Sequence, residues 1–324
     1  MGRGFRRIAA ALAASAALAA NAIATDWTVV DITPEGLGRA LAINAKGTVV
    51  GCRMVNGSQS VAYMFANASR ADLPAPAGAA SCAYAVNSND TIAGTVNGEI
   101  TVWQDGAARG LGLQGEVTGI NDSGVIVGSA DGRAIMVANA IVTDLGPGRA
   151  IGINRNGQVA IYSGGKLFMY ENGSLRDLGP ATVVNAYGFN DRGEIAGMTR
   201  FGHGPEPFVY DGVVHPIPGA FGDGGAVAIN NADQVLGSGE GIYGFIVEGG
   251  QAVTLDKLAA SSGGAWHHME GKGINDRGWI VGQGGGDVHA FLMMPKGGAT
   301  PVFTGNPLAR PATRTRALIQ ARTP

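Results

Sequence analysis

The sequence predicts an all-β protein with the fold of a seven-bladed β-propeller made of four-stranded antiparallel blades. Three observations predict it: one motif recurs seven times, each copy has the pattern of short strands joined by tight turns, and the two chain ends complement each other. Every copy contains a small residue, an apolar residue, Asn, a polar turn, two apolar residues and usually Gly. The recurring asparagines are Asn44, Asn87, Asn121, Asn154, Asn190, Asn230 and Asn275. A repeat of about 40 residues over most of a chain is typical of repeated supersecondary units.

The residues around each Asn predict a hairpin. The residue two before Asn is always Ala or Gly and the residue directly before it is Ile, Val or Phe. This period of two predicts a strand, called strand a, with one face close to another backbone. The Asn then begins a tight turn whose fourth residue is usually Gly, and Asp90 and Asp233 replace that Gly in two copies. Because Asp tolerates the left-handed conformation better than most residues, the replacement supports the turn.

The remaining segments of each copy predict three further strands. Strand b ends in Gly in six copies and in Ile161 in the other. Strand c follows, as in Pro207-Phe208-Val209-Tyr210, and a second tight turn such as Asp211-Gly212 leads to strand d. Each copy is therefore expected to form a four-stranded meander.

The two chain ends favour a ring over a linear stack. The seventh copy has a strand c at residues 290–293 but no convincing strand d after it, whereas residues 27–34 have the pattern of a strand d before the first copy. An N-terminal strand that completes the last blade closes the ring and removes long exposed sheet edges. A β-solenoid is the alternative, because seven meanders can also stack along a line.

The repeats resemble a known family. The tripeptide His289-Ala290-Phe291, together with the recurring pattern Ile-Asn-x-x-Gly-x-Val-Val-Gly, is similar to the exported bacterial repeats of the extracellular HAF family. The resemblance covers Trp27 to about Met294. It implies an exported, propeller-like repeat protein, and it supplies no catalytic residues.

The N-terminal residues predict export. Arg3, Arg6 and Arg7 precede an apolar run from Ile8 to Ala20, which is followed by small residues at cleavage spacing. This is the pattern of a secretory signal peptide. We therefore predict a signal peptide at 1–24, a propeller at 25–299, a flexible basic tail at 300–324, and a periplasmic or extracellular location. No later stretch is apolar over enough residues to predict a membrane span.

The charge balance limits the classes of partner that we expect, and the two cysteines suggest a disulfide. Without the three Arg of the leader and the four of the tail, 16 basic residues face 25 acidic residues. This acidic balance disfavours nucleic acid, which requires a basic face. Cys52 and Cys82 are a plausible disulfide in an oxidising compartment, although two buried thiols would give the same sequence.

The longer loops predict where a ligand binds. The a–b and c–d turns lie on one side of the ring, here the tight-turn face, and the b–c and d–a loops lie on the other, the long-loop face. Long loops are predicted at Leu73–Ser81, Met198–Glu206 and Leu255–Glu270. Because binding residues favour such loops on rigid scaffolds, we expect the site on the long-loop face. The candidates for ligand binding are Phe201, His203, Glu206, Tyr243, Trp266, His267, His268, Glu270, Asp287 and His289.

The types and spacing of these candidate residues indicate ligand binding rather than a particular catalytic reaction. Their His and carboxylate side chains suit metal ions, but none has the spacing of a recognised metal motif, so we predict no metal site and no cofactor. No nucleophile elbow or phosphate-binding loop is present, and we assign no catalytic residue. Exposed aromatic side chains beside carboxylates can bind sugars, although blade packing also uses aromatic residues. We therefore predict a binding module for a glycan, peptide or protein, with a hydrolase or lyase that uses residues such as His267 and Glu270 as the alternative.

Overall fold

The computed structural model describes residues 26–179, 183–201, 204–217, 224–239, 242–248, 251–263 and 266–296. The predicted signal peptide, the predicted tail from residue 300 and His203 lie outside these ranges, and so does the side chain of Phe201. Within them no helix is long and apolar enough to cross a bilayer.

The described residues form seven four-stranded antiparallel sheets, the blades of a β-propeller. The chain begins with β1 (Trp27–Asp31). Blade 1 contains β2 (Gly38–Ile43), β3 (Val49–Val55), β4 (Gln59–Ala66) and β5 (Ser69–Asp72). Blade 2 contains β6 (Ser81–Val86), β7 (Ile92–Val96), β8 (Glu99–Gln104) and β9 (Ala107–Gln114). Blade 3 contains β10 (Glu116–Ile120), β11 (Ile126–Ala130), β12 (Arg133–Ala138) and β13 (Ile141–Pro147).

The second half of the chain repeats this order. Blade 4 contains β14 (Arg149–Ile153), β15 (Val159–Ser163), β16 (Lys166–Glu171) and β17 (Ser174–Asp177). Blade 5 contains β18 (Val183–Phe189), β19 (Ile195–Phe201), β20 (Gly204–Tyr210) and β21 (Val214–Pro216). Blade 6 contains β22 (Gly224–Ile229), β23 (Val235–Gly239), β24 (Ile242–Glu248) and β25 (Gln251–Thr254), followed by α1 (Leu255–Ala259) and a 3-10 turn (Ala260–Ser262). Blade 7 contains β26 (Glu270–Ile274), β27 (Ile280–Gly284) and β28 (His289–Pro295).

The N-terminal strand completes blade 7, as predicted. Its sheet has the order β1-β28-β27-β26. Val30 lies opposite Leu292, and Asp31 lies opposite Phe291. The first strands of successive blades pack against one another, and β2 packs against β26. The repeats therefore close into a ring, and the solenoid alternative is wrong.

The strand-b glycines are explained by a bulge in each first strand. Ala40 pairs with Gly51 and Ala42 with Val50, so Leu41 is an extra residue between them. A Cβ atom on Gly51 would overlap the carbonyl oxygen of Arg39. Glycine therefore suits the place where the bulged strand comes closest to its neighbour. Blade 4 differs, because Ile161 lies opposite Ala150 beside the same kind of bulge.

The seven recurring asparagines form a buried ring, here called the Asn belt, at the tight-turn face. Each side-chain oxygen accepts backbone N–H groups of its own turn; Asn275, for example, accepts from Arg277 (3.0 Å) and Trp279 (3.1 Å). The side-chain amide then donates to the carbonyl of the next blade's Asn. Five such bonds occur among the described residues: Asn44 to Asn87, Asn87 to Asn121, Asn190 to Asn230, Asn230 to Asn275, and Asn275 to Asn44. The bond from Asn275 to Asn44, 3.0 Å long, joins the last blade to the first.

Apolar side chains fill the space between neighbouring blades. Leu236 and Ile246 of blade 6, for example, belong to the same buried cluster as Ile280 and Phe291 of blade 7 and Trp27 of β1. On the long-loop side, Cys52 of β3 and Cys82 of β6 form a disulfide that joins blades 1 and 2.

Two loop expectations need correction. The predicted loop Met198–Glu206 is mostly hairpin, because β19 extends to Phe201 and β20 begins at Gly204. Glu206 therefore lies within a strand. The predicted loop Leu255–Glu270 contains α1 and the 3-10 turn, so the connection between blades 6 and 7 is partly helical.

Candidate ligand-binding site

A cavity of about 310 Å³ opens on the long-loop face at the boundary of blades 6 and 7. We call it the blade 6/7 pocket. Its lining residues are Val29, Asp31, Trp266, Gly284, Gly285, Gly286, Asp287 and His289. They come from the N-terminal strand, the connection before β26 and the b–c loop of blade 7, so the pocket exists only because the ring is closed.

Closure brings Asp31 to the pocket. Asp31 ends β1 beside the start of β28, and its Oδ2 lies 2.7 Å from Nδ1 of His289. The other oxygen, Oδ1, accepts the backbone N–H of Thr33 at 3.0 Å. Both side chains are partly exposed. His289 was predicted from the sequence and Asp31 was not, although the predicted antiparallel pairing of the two chain ends places these residues together.

Two of the three glycines, Gly285 and Gly286, leave space in the pocket beside its aromatic rings. Gly285 has a φ of 84°, which favours glycine, and its N–H donates to the carbonyl of His267 at 2.8 Å. A Cβ on Gly285 would lie 4.0 Å from the Trp266 ring, and a Cβ on Gly286 would lie 3.8 Å from His267. Any side chain here would therefore occupy the space between the loop and these rings.

Trp266 is the apolar wall of the pocket. Its indole meets the ring of Phe291 edge to face, with centroids 5.9 Å apart and planes at 72°. Phe291 is fully buried. Contact with a fixed core residue holds the half-buried indole in one orientation.

A row of aromatic rings continues from the pocket towards blade 6. The rings of His267 and His268 are stacked with centroids 4.7 Å apart, and the ring of His268 lies 4.1 Å from that of Tyr243. Tyr243, in β24, is 45% exposed. The predicted residues that the fold places along this boundary are Tyr243, Trp266, His267, His268, Asp287 and His289.

Asp256 holds the segment that carries these rings. Its Oδ2 accepts the backbone N–H of His268, and its Oδ1 accepts that of Met269, both at 2.9 Å. Asp256 lies in the first turn of α1, which is capped by Thr254. His268 has a φ of 56°, a conformation that costs free energy for a non-glycine residue. The hydrogen bonds to the Asp256 carboxylate stabilise that conformation. Asp256 was not among the residues predicted from the sequence.

The remaining candidates lie elsewhere. Glu270 is in the innermost strand of blade 7, where its Oε2 accepts from Lys272 Nζ (2.9 Å) and Gln283 Nε2 (3.1 Å). Glu206 and the backbone of Phe201 belong to blade 5, two blades away. The position of His203 lies outside the described residues.

The pocket offers hydrogen-bonding groups around an apolar wall. Asp31 and Asp287 supply carboxylate oxygens, His289 a ring nitrogen, and the glycine loop backbone polar groups. Within the part of the chain that the structure describes, no three His, Cys, Asp or Glu side chains are arranged to hold a metal ion. The arrangement suits a small ligand that donates several hydrogen bonds and has an apolar face.

Comparison with known proteins identifies the fold. No protein-family model matches the chain, and no curated protein sequence matches it. YCF48, solved bound to D1 peptide, has a TM-score of 0.54 at 11% identity over 82% of this chain and 95% of its own. The extracellular domain of a one-component system from B. thetaiotaomicron has 0.53 at 10% identity, over 83% of this chain and 40% of its own. The WD40 propeller domain of Doa1 has 0.53 at 12% identity, over 85% and 98%. At such identities the likeness establishes a β-propeller alone.

Proposed function

We propose that the protein is an exported binding module that takes a sugar ring in the blade 6/7 pocket. The observation that carries the proposal is the meeting of Trp266, Asp31, Asp287 and His289 around one cavity of about 310 Å³. That volume lies at the lower end of the range for small-molecule sites, roughly 300–1,000 Å³.

The chemistry of the pocket favours a sugar over a peptide or protein. A sugar ring has an apolar C–H face that packs on an indole, and its hydroxyl groups donate to carboxylate oxygens. The aromatic row from His267 to Tyr243 extends this surface beyond one ring. We therefore expect a short oligosaccharide to bind more tightly than its monosaccharide.

Export rests on the N-terminal leader and agrees with the disulfide. Residues 1–24 have the pattern of a signal peptide. The bond between Cys52 and Cys82 is of a kind that persists in oxidising compartments. In the periplasm or outside the cell, extracellular or cell-wall polysaccharides are accessible ligands.

A direct test measures binding by the mature chain, residues 25–324. A glycan array would identify the ligand, and isothermal titration would compare the wild type with Trp266→Ala and Asp287→Asn. Each substitution should weaken binding at least about tenfold, because about 1.4 kcal/mol of contact is lost. Ile141→Ala is the control, since Ile141 is 69% exposed on the outer strand of blade 3. Binding of peptides but no glycan, or glycan binding insensitive to both pocket variants, would overturn the proposal.

A hydrolase or lyase is the second candidate, and the contact between His289 and Asp31 favours it. A carboxylate 2.7 Å from an imidazole nitrogen can orient that ring as a general base. Turnover of glycosides or esters by the wild type that Asp31→Asn reduces at least about a hundredfold would establish this function. Binding without turnover would leave the module as proposed.

A further inference from the structure

A larger cavity, of about 540 Å³, opens on the tight-turn face at the boundary of blades 7 and 1. We call it the blade 7/1 cavity. Its walls come from β1, β28 and Trp279 of blade 7, from β4 and both tight turns of blade 1, and from Asp90 in the first turn of blade 2. The cavity therefore lies on the opposite face of the ring from the blade 6/7 pocket. Its volume is within the range of small-molecule sites, roughly 300–1,000 Å³.

Trp279 lines this cavity because blade 7 departs from the repeat. Four positions after the belt Asn, the other copies have Thr48, Thr91, Val125, Gln158, Glu194 and Gln234. In blades 4 and 6 the side-chain oxygen at this position accepts from the belt Asn, at 2.7 Å for Gln158 and 2.5 Å for Gln234. An indole has one N–H donor and no acceptor, so Trp279 cannot perform that task. Its ring lies against blade 1 instead, where a Cβ on Gly47 would be 2.5 Å from Cζ3 of Trp279.

The walls of the cavity are mainly apolar. Phe65 and Leu292 are buried members of the core cluster between the two blades. Trp279 and Met294 pack against that cluster and stay half-buried, and Met64 is half-buried on the side of blade 1. Methionine side chains are unbranched and polarizable, and they adapt to the shape of what they contact. These walls therefore suit a flexible apolar chain.

The charged groups at the cavity leave hydrogen-bond donors for a ligand. Asp90 Oδ1 accepts from Asn44 Nδ2 and from Thr48 Oγ1, both at 2.8 Å. Asp90 Oδ2 accepts from Lys46 Nζ at 2.9 Å, so both oxygens of this carboxylate are used within the fold. The Lys46 ammonium has three N–H donors and gives one of them to Asp90. Because the Lys46 side chain is 57% exposed, the other two can bond to a ligand.

Arg277 adds a second positive charge beside the cavity. Its guanidinium lies over the indole of Trp279, 5.3 Å from the centre of the ring. The neighbouring Asp276 does not pair with it, since its two oxygens accept the backbone and side-chain N–H groups of Asn231 at 2.9 and 2.8 Å. Among the residues that the structure describes, no carboxylate forms an ion pair with Arg277. The charges at this end of the cavity therefore favour an anionic group.

We propose that the blade 7/1 cavity binds a medium-chain alkyl carboxylate. The alkyl chain lies against Trp279, Met64 and Met294, and the carboxylate accepts hydrogen bonds from Lys46 and Arg277. Charge-assisted hydrogen bonds are about twice as strong as neutral ones, so a carboxylate is preferred over an alcohol of the same length. The site is separate from the blade 6/7 pocket and does not depend on the binding of a sugar there.

The first test is isothermal titration of the mature chain with hexanoate, octanoate and decanoate. Affinity should rise about fourfold for each methylene that enters the cavity. The uncharged 1-octanol and the cationic octylammonium should each bind at least about tenfold more weakly than octanoate. No binding of any carboxylate at millimolar concentration, or equal binding of the three octyl probes, would overturn the proposal.

Variants of the cavity test the two halves of the ligand separately. Trp279→Thr introduces the residue that blades 1 and 2 have at this position, so the blade should still fold, and octanoate binding should weaken at least about tenfold. Lys46→Gln combined with Arg277→Gln should lower the affinity for octanoate to that for 1-octanol and leave 1-octanol binding unchanged. Lys166→Gln is the matched control, because Lys166 forms an exposed ion pair with Asp177 in blade 4. Thermal unfolding would confirm that each ring is intact, and octanoate binding that neither cavity variant changes would contradict the site.

A second measurement reports on the cavity wall directly. In protein with isotope-labelled methionine methyl groups, the resonances of Met64 and Met294, assigned from Met64→Leu and Met294→Leu, should shift when octanoate is added. The shifts should persist in Trp266→Ala, which alters only the blade 6/7 pocket. Shifts confined to other methionines, or octanoate binding that is lost in Trp266→Ala, would overturn the blade 7/1 site. Octanoate binding by a protein that binds no sugar would support this site and overturn the blade 6/7 pocket instead.

Discussion

The two faces of the ring are formed by the ends of the same strands, but one face is largely alike in every blade and the other varies from blade to blade. On the tight-turn face the same residue type performs the same task in each blade: a buried Asn closes its own turn, and in five blades it also bonds to the next. On the long-loop face the connections differ, and the one between blades 6 and 7 contains the only α-helix of the described residues. The repeat thus builds the scaffold, and departures from the repeat build the site.

Blades 1 and 2 show the difference at a single boundary. On the tight-turn face, Asn44 donates to the Asn87 carbonyl and to Asp90, each at 2.8 Å. Near the long-loop face the same two blades are joined by the disulfide between Cys52 and Cys82. Where the repeated hydrogen bonds do not reach, a covalent bond restrains the blades.

The largest effect is expected from removing that covalent bond. The double variant Cys52→Ala/Cys82→Ala should lower the free energy of unfolding by about 3.5 kcal/mol, because the disulfide closes a loop of 30 residues in the unfolded chain. Denaturant titration with and without reductant is the measurement. Reductant should lower the stability of the wild type to that of the variant, and a wild type indifferent to reductant would contradict the prediction.

Removing one member of the Asn belt should have the next largest effect. Asn275→Ala leaves two N–H groups of its turn without their acceptor and removes one of the two donors to the Asn44 carbonyl, which should cost about 3 kcal/mol. Urea unfolding would measure it. The control is Asn172→Gly in an outer turn, where the φ of 51° suits glycine and the change should stay within about 0.5 kcal/mol. If both variants lose the same free energy of unfolding, the hydrogen bonds between blades contribute no stability beyond that of the turns.

A smaller and local effect is expected on the long-loop face. Asp256→Ala removes the acceptor for the N–H groups of His268 and Met269, so their protection from hydrogen exchange should fall by about 1.5–3 kcal/mol. The belt should keep its protection, because the faces are stabilised separately. Lys257→Ala, at the exposed neighbouring position, is the matched control. Unchanged exchange at His268 would show that the loop is held by other contacts.

The smallest effect concerns an exposed ion pair. The pKa of Asp72 is lowered by hydrogen bonds from Arg53, with distances of 2.9 and 2.6 Å, against an opposing effect of desolvation. A carboxyl whose folded pKa is depressed stabilises the fold above its unfolded pKa of about 3.9, and this contribution is lost as the pH falls through the folded pKa. Asp72→Asn should therefore cost less than about 1 kcal/mol at neutral pH and flatten the stability profile below about pH 4. The difference in stability between the wild type and Asp72→Asn should decrease in high salt. If the variant stays less stable than the wild type at low pH, lost packing rather than the lost ion pair would be the cause.

The strands and turns of the scaffold could be predicted from the sequence because each turn depends on a few neighbouring residues. Asp90 and Asp233 have left-handed φ values of 63° and 64°. The turn pattern predicted this conformation, because the two residues stand where the other copies have Gly. The pairing of β1 with β28 was also accessible, since a missing strand at one end matched a spare strand at the other. The hairpin at Phe201–Gly204 was not, because its strands extend past the repeat pattern.

The sequence by itself determined the seven-fold repeat, the turn positions and the closure of the ring, because each depends on residues near one another or on a count of strands. Only the tertiary structure decided that Asp31 meets His289, that Asp256 clamps the loop from 12 residues away, and that the recurring Asn bonds across blades as well as within its turn. The number of residues between the two partners of such a contact does not indicate how far apart their side chains lie in the fold. The ring brings them together, and no local pattern records which side chains then face each other.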